Sequence, residues 1–421
     1  MRAPLNRKVY VVGYDAVTPL GNTFETTWQR AVAGEAGFRR VTRCQTTSRS
    51  NVVGEIPDWN PQGLGFIDRR DAYNWNADFV FLTMTLCKRA LEHARLQIDS
   101  QTGPRTACLV GSALNGSDAM RVAVQNYAQH GPTKVSPYLL PNLCANLPSG
   151  KAGMLLDFTG PIFSPQGACA SGNHAIAIGA RMIRDGDCDF VLAGGVETCI
   201  LPEIIQGFAN MWASIKVEPG DRAYADPTQA SRPFSIDRKG FVLSEGGAVL
   251  VLAADEMVAS LGLTPRAEVL GAGWTSDAHH FTLPHAPTII RAIQDAIADA
   301  GLQPQDIQSI NAHGTSTPKG DRVEVECLRQ VFGGGIEKIP VSANKSQIGH
   351  TLGAAAAIEA TLCIEAMQQG IALPTVNHIP DPEFADFDVV PNQARRHPHE
   401  VLLSNAFGFG GTNCCIVFRG V

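Results

Sequence analysis

The sequence predicts an α/β layered fold with mostly parallel, buried strands, on three observations. Short apolar, β-branched runs alternate with longer stretches of helical period along the whole chain. Its 421 residues can bury a large core. Proline and glycine are spread evenly, so no linker marks off an independent unit, and two halves sharing one core are expected.

The elements follow in order. Val9–Gly13 reads as a buried strand, and Phe79–Ala94 as an amphipathic helix leading to a strand at Ala107–Gly111. A helix behind Cys169 leads to a strand at Phe190–Ala193, followed by Gly194-Gly195, and Gly247–Ala253 is the next strand. The division falls at 1–255 and 256–421. The second part predicts strand Ala267–Gly273, helix Thr288–Ala300, strand Ser309–Ala312, helix Asp321–Val331 and strand Ile339–Ala343. A long helix over Ala354–Gln369 and strands Glu400–Asn405 and Asn413–Phe418 close the chain. Both parts share a strand-helix-strand order that suggests duplication, although no internal sequence repeat establishes it.

Composition removes several classes of function. The formal net charge is −6, and basic runs with interleaved aromatics are absent, which argues against a nucleic-acid binder. No run approaches the roughly 18 apolar residues of a membrane span. The stretch Met1–Gly13 is too short in apolar residues for a signal peptide. The 11 cysteines are scattered without a C-x-x-C pair, which argues against a disulfide framework or zinc site and for a reducing compartment. A soluble cytoplasmic protein is expected.

The chemistry centres on Cys169 in Gln166-Gly-Ala-Cys-Ala-Ser-Gly172. Small residues flank it, and a helical apolar stretch follows, which puts the thiol near a helix N-terminus. Unpaired N–H groups and the helix dipole there favour an anion, so a lowered thiol pKa and a nucleophile are expected. Two histidine motifs lie downstream. Asn311-Ala-His-Gly-Thr-Ser-Thr-Pro318 sets His313 in a loop after a strand, and Lys345-Ser-Gln-Ile-Gly-His350 stands in a second strand-to-helix loop. A lone histidine is more often structural; two in strand-end loops beside a candidate thiol shift the balance. The glycines of Ser404-Asn-Ala-Phe-Gly-Phe-Gly-Gly-Thr-Asn413 permit positive φ and close backbone approach, and N–H groups there could serve an oxyanion.

In this order the motifs resemble the β-ketoacyl-carrier-protein synthases of the type I/II branch, within the thiolase-like condensing enzymes. Also part of the resemblance are Ala16-Val-Thr-Pro-Leu-Gly-Asn22, Ser136-Pro-Tyr-Leu-Leu-Pro141, Ala230-Ser-Arg-Pro-Phe234 and Gly240-Phe-Val-Leu-Ser-Glu-Gly246. It covers nearly the whole chain. It implies a thiolase-like αβαβα fold of two duplicated halves, Cys169 in the first and both histidines in the second.

The implied reaction is a decarboxylative Claisen condensation. Cys169 would take an acyl group from a phosphopantetheine thioester, and the enolate from a malonyl thioester would attack it. Neutral His313 and His350 would hydrogen-bond the enolate oxygen. The N–H groups of Cys169 and Phe409 would form the oxyanion hole, each such donor typically worth roughly 3 kcal/mol. Lys345 would tune the charge of the site in a pair with Glu359. Thr315 and Thr317 would bind the pantetheine arm, though threonines often only bond their own turn. Leu114, Leu139 and Phe208 would line an acyl tunnel gated by Phe409, with Asp277 on a mobile loop. No organic cofactor or catalytic metal is implied; a structural monovalent cation near Asn311, Glu359 and Ser404 is an analogy. The implied partners are an acyl carrier protein and a second subunit, either a copy of this chain or a chain-length partner.

Departures from the pattern bear on the pathway rather than the reaction. Tyr73-Asn74 replace a usual Arg-Lys pair, Trp212 replaces an arginine and Ala356 a glycine. Arg69, Arg70 and Lys134 remain as basic candidates for docking an acidic carrier. Fatty-acid elongation is the first reading, with a ketosynthase of a specialised polyketide or polyene pathway second. A non-catalytic chain-length partner would be expected to lack the nucleophile. A thiolase would replace one histidine by a second catalytic cysteine, and an initiating synthase would pair cysteine with His and Asn.

Overall fold

The computed structural model describes residues 7–60 and 77–421. Among them ten strands form one sheet. They are β1 (Val9–Val17), β2 (Thr106–Gly111), β3 (Ile162–Phe163), β4 (Phe190–Glu197) and β5 (Gly246–Ala254) in the first half. In the second they are β6 (Ala267–Ser276), β7 (Ser309–Asn311), β8 (Val341–Ser342), β9 (Val401–Gly408) and β10 (Thr412–Gly420). The order across the sheet is β8-β7-β9-β10-β6-β1-β5-β4-β2-β3. Counted outward from the central β6–β1 pair, each half runs first, fifth, fourth, second and third strand of its own set. Each half makes two antiparallel pairings and then two parallel ones. The duplication that no sequence repeat established is thus written in the topology.

The expectation of mostly parallel strands is corrected. Five of the nine neighbouring pairs are antiparallel, counting the β1–β6 junction. The strands are covered on both faces, so they read as continuous apolar runs whichever way they pair. Strand β5 shows it: Ala248, Leu250, Leu252 and Ala254 point into one cluster, Val249, Val251 and Ala253 into another.

The helices that matter are α1 (Asp78–Ala94), α2 (Ser171–Arg184), α3 (Pro202–Asn210), α4 (Ala286–Asp299), α5 (Pro318–Phe332) and α6 (Ala355–Gln369). Helices α2 and α6 form the middle layer, where Ile176 and Ile358 share a core with residues of both halves such as Leu250 and Ile416. They approach so closely that a Cβ at Gly172 would stand 2.5 Å from the Ala357 nitrogen. Helix α6 is buried on nearly all sides, which matches its apolar sequence. Helix α1 covers the outer face of the first half, α4 and α5 that of the second. The result is an αβαβα layering. Helix α5 begins a turn before its predicted start, because the Thr317 side chain caps it and Pro318 occupies the first turn. Edge strand β3 and helix α3 had no clear periodic signal. No helix among the described residues is long and apolar enough to cross a membrane.

Candidate active site

Strands β7, β8 and β9 are mutually parallel neighbours, so the loops at their carboxyl ends open on one side of the sheet. His313 follows β7, Lys345 and His350 follow β8, and Phe409 follows β9. Cys169 comes from the other half, in a 3-10 turn (Ala168–Ala170) that runs into α2. The turn places Ala168 at φ +48° and is tied by Ser171 Oγ, which accepts from Gly167 N (3.0 Å) and donates to Ala168 O (2.7 Å). The turn after β9 locks onto it. Thr412 Oγ1 donates to the Gly167 carbonyl at 2.7 Å, and a Cβ on Gly408 would stand 2.5 Å from that same oxygen. The reversal at Gly410 and Gly411 needs φ of +81° and +73°.

These loops enclose a cavity of about 340 Å³. Cys169, His313, His350 and Phe409 all line it. The backbone N–H groups of Phe409 and of Cys169 itself lie where they favour the anionic form of the sulfur. The two imidazoles stand edge to face, centroids 5.5 Å apart. The backbone of His350 is pinned to the strand-like segment before β5, its N–H donating to Val242 O at 2.8 Å. Burial, then the positive charge of Lys345, pushes both histidines well below the ordinary imidazole range, so both are neutral near pH 7.

The expected low thiol pKa is corrected. Burial pushes Cys169 up to about 11, and the Phe409 N–H and Lys345 offset only part of that. Helix position was legible in the sequence, but the loss of water outweighs it here. Cys169 is therefore a thiol at rest, poised under two N–H donors.

Lys345 and Glu359 do not line the cavity. They form a buried ion pair behind it, 2.5 Å apart. Burial raises the Glu359 carboxyl, and Lys345 partly opposes this. Asn311 Nδ2 donates to Ser404 Oγ at 3.2 Å, and the orphaned Oε2 of Glu359 would suit a small monovalent cation. Leu114, Phe208, Thr315, Thr317 and Asp277 are on the cavity wall. The hydroxyls of Thr315 and Thr317 bond each other at 3.0 Å, and Thr317 also caps α5. Asp277 is buried and held by Asn413 Nδ2 (2.7 Å) and Thr288 Oγ1 (2.5 Å), so it anchors its loop. Leu139 is half-buried in a short helix, Leu139–Leu143, and is not among the residues that line the cavity within the single chain. Lys134 is exposed, and Trp212 stands at the mouth. Arg69, Arg70, Tyr73 and Asn74 lie outside the described residues.

Two carboxylates escaped the sequence reading. Glu324 accepts from the N–H groups of His313 and Gly314, both at 2.8 Å, and so sets the histidine loop. Glu197, at the end of β4, accepts from the N–H groups of Ala113 (2.8 Å), Leu114 (3.1 Å) and Gly353 (3.1 Å) and from Ser112 Oγ (3.0 Å). Burial pushes it up to about 7. It ties the cavity wall at Leu114 to the segment after His350, where Leu352 lines the cavity at φ +46°. An acid ending the apolar run Phe190–Gly195 was the available signal.

The comparisons agree with this geometry. The N-terminal domain model of β-ketoacyl synthase matches residues 6–257 and the C-terminal one residues 266–378. The chain is 35% identical over 419 residues to 3-oxoacyl-[acyl-carrier-protein] synthase 2 of Staphylococcus aureus (strain COL), covering 98% of each chain. A solved β-ketoacyl synthase from Burkholderia phymatum STM815 superposes with a TM-score of 0.90 at 30% identity, over 99% of this chain and 100% of that one. A type II polyketide ketosynthase, solved with its acyl-carrier protein and bound to the hexaketide, superposes at 0.89 with 25% identity over 100% of both chains. The thiolase-like layers, the paired loops around one cysteine and two histidines, and the full-length matches lead to one conclusion: this chain belongs to the β-ketoacyl synthase family.

Proposed function

We propose that the protein is a 3-oxoacyl-[acyl-carrier-protein] synthase that extends acyl chains in fatty-acid synthesis. The observation that carries this is the convergence of Cys169, two backbone N–H donors and two neutral imidazoles in one cavity. The sulfur of Cys169 attacks the carbonyl carbon of an acyl thioester. The S–C bond forms, the carrier thiol leaves with a proton, and the oxyanion between is held by the N–H groups of Cys169 and Phe409. A malonyl thioester then binds. Its carboxylate leaves as carbon dioxide, and the electron pair becomes an enolate whose oxygen accepts hydrogen bonds from His313 and His350. The enolate carbon attacks the acyl carbon and the C–S bond to Cys169 breaks, which yields a 3-oxoacyl thioester two carbons longer; the released Cys169 thiolate takes a proton from solvent and the resting thiol is restored. Each step is complete without an organic cofactor or catalytic metal; a cation at Glu359 would be structural.

The substrates arrive on the phosphopantetheine arm of an acyl carrier protein, which the mouth of the cavity admits past Thr315 and Thr317. A second copy of this chain pairs along the free edge of β3. Support comes from exposed apolar side chains beside it: Phe163 on the strand and Met154 on the adjacent helix Leu147–Leu156. The described cysteines are all free thiols, which suits a reducing cytoplasm.

Intact-mass spectrometry after mixing the enzyme with acyl-carrier thioesters tests the reading. A mass gain equal to the acyl group, lost in Cys169→Ala, is expected. No adduct from any donor would overturn it.

A further inference from the structure

The interior of the cavity is explained by the condensation, but its rim is not. Met211, Trp212 and Phe281 line the mouth and are 44%, 79% and 68% exposed. Trp212 follows the end of α3, with its N–H bonded to Ala209 O at 3.2 Å and φ at +57°, a conformation costly for any residue but glycine. Its ring carries Lys216 Nζ 3.2 Å from the centroid, a cation–π contact. Phe281 belongs to a separate segment, after β6, and its carbonyl accepts from Gly410 N at 2.8 Å. Two independent segments therefore hold large apolar side chains out into water around one opening. Both connect to the gate: Phe208 of α3 packs near Phe409, with centroids 6.4 Å apart, and Gly410 adjoins Phe409.

Among the described residues that line the cavity, the solvent-facing charge is positive. The carboxylates on the cavity wall, Asp277 and Glu324, are buried, whereas Lys319 is exposed and Lys216 half-buried. A thioester donor must bring its protein to this mouth, because Cys169 lies beneath it. We infer that Trp212, with Met211 and Phe281, is the docking surface for an acyl carrier protein whose contact face combines apolar residues with acidic ones. Contact on the indole supplies most of the affinity, and the lysines orient the approach. This rests on the proposed condensing function.

The test compares Trp212→Ala with the parent enzyme on two donors of one acyl group: octanoyl on acyl carrier protein and octanoyl on N-acetylcysteamine. The ratio of kcat/KM for the carrier-borne donor to that for the small one is expected to fall about tenfold or more, and Trp212→Phe to restore it to within about threefold. An unchanged ratio overturns the inference, whether both donors suffer together, which would place the ring against the acyl chain or arm, or neither does. Raising salt from about 50 to about 500 mM is expected to lower the carrier-borne kcat/KM by less than about threefold. A steeper fall means that charge dominates and overturns the inference. Failure of the parent enzyme to take the acyl group from either donor overturns the condensing function itself, and this inference with it.

Discussion

Lys345 Nζ lies 2.5 Å from Glu359 Oε1, and both side chains are shut off from solvent behind the catalytic cavity. The pair links the helical turn before His350 to α6. Removing one partner strands a buried charge. Lys345→Met is expected to lower stability by about 3–5 kcal/mol in urea unfolding, and the double variant Lys345→Met/Glu359→Leu to recover much of it. Full stability in the single variant would show that the pair contributes nothing.

The histidines should be insensitive to mild acid. Both have imidazole pKa values well below the ordinary range, so neither gains a proton between pH 8 and about pH 6. Malonyl-thioester decarboxylation should stay flat over that window. Lys345 is a cause of the depression, so Lys345→Met raises both pKa values and should produce an acid-side decline. The sign follows from charge: removing a cation favours imidazolium. A parent enzyme that lost half its rate near pH 6.5 would contradict the assignment.

Alkylation reads the thiol directly. With Cys169 pushed up to about 11, its thiolate fraction rises about tenfold per pH unit below that value. The rate of modification by iodoacetamide should climb from pH 7 to about pH 10 without a plateau. A plateau near pH 7 would show that the helix terminus outweighs burial.

Gly408 joins the oxyanion turn to the nucleophile turn. In Gly408→Ala the new Cβ would meet the Gly167 carbonyl at 2.5 Å and the Cys169 nitrogen at 3.2 Å. The two turns must separate, which moves the Phe409 N–H from the sulfur. Losing one oxyanion donor is worth about 10²–10³ in rate. Acyl-enzyme formation measured by rapid-quench mass spectrometry should fall by that order with little change in melting temperature.

Glu197→Gln tests the wall of the acyl cavity. Two donors approach each carboxylate oxygen: Ser112 and Leu114 on Oε1, Ala113 and Gly353 on Oε2. Glutamine keeps one acceptor oxygen and turns an NH₂ toward two other donors, at a cost of about 1–3 kcal/mol. The segment carrying Leu114 should loosen and the preference among acyl chain lengths broaden. An unchanged chain-length profile would make Glu197 structural only.

Local pattern alone determined much of this protein. Apolar period placed β4, β5, α2 and α6 to within a few residues, since backbone geometry repeats every 2.0 or 3.6 residues and needs no distant partner. The motifs around Cys169, His313, His350 and Phe409 marked the chemistry, because strand-end loops with glycine announce themselves in a single stretch of chain. Pairing direction was decided only by the tertiary structure, because strands covered on both faces show the same apolar run either way. The thiol pKa was decided there too, since desolvation comes from side chains in both halves. Glu197 and Glu324 gained their roles the same way: their partners at Leu114, Gly353 and His313 lie from 11 to 156 residues away, and which hydrogen bonds a buried carboxylate makes depends on what folding brings beside it.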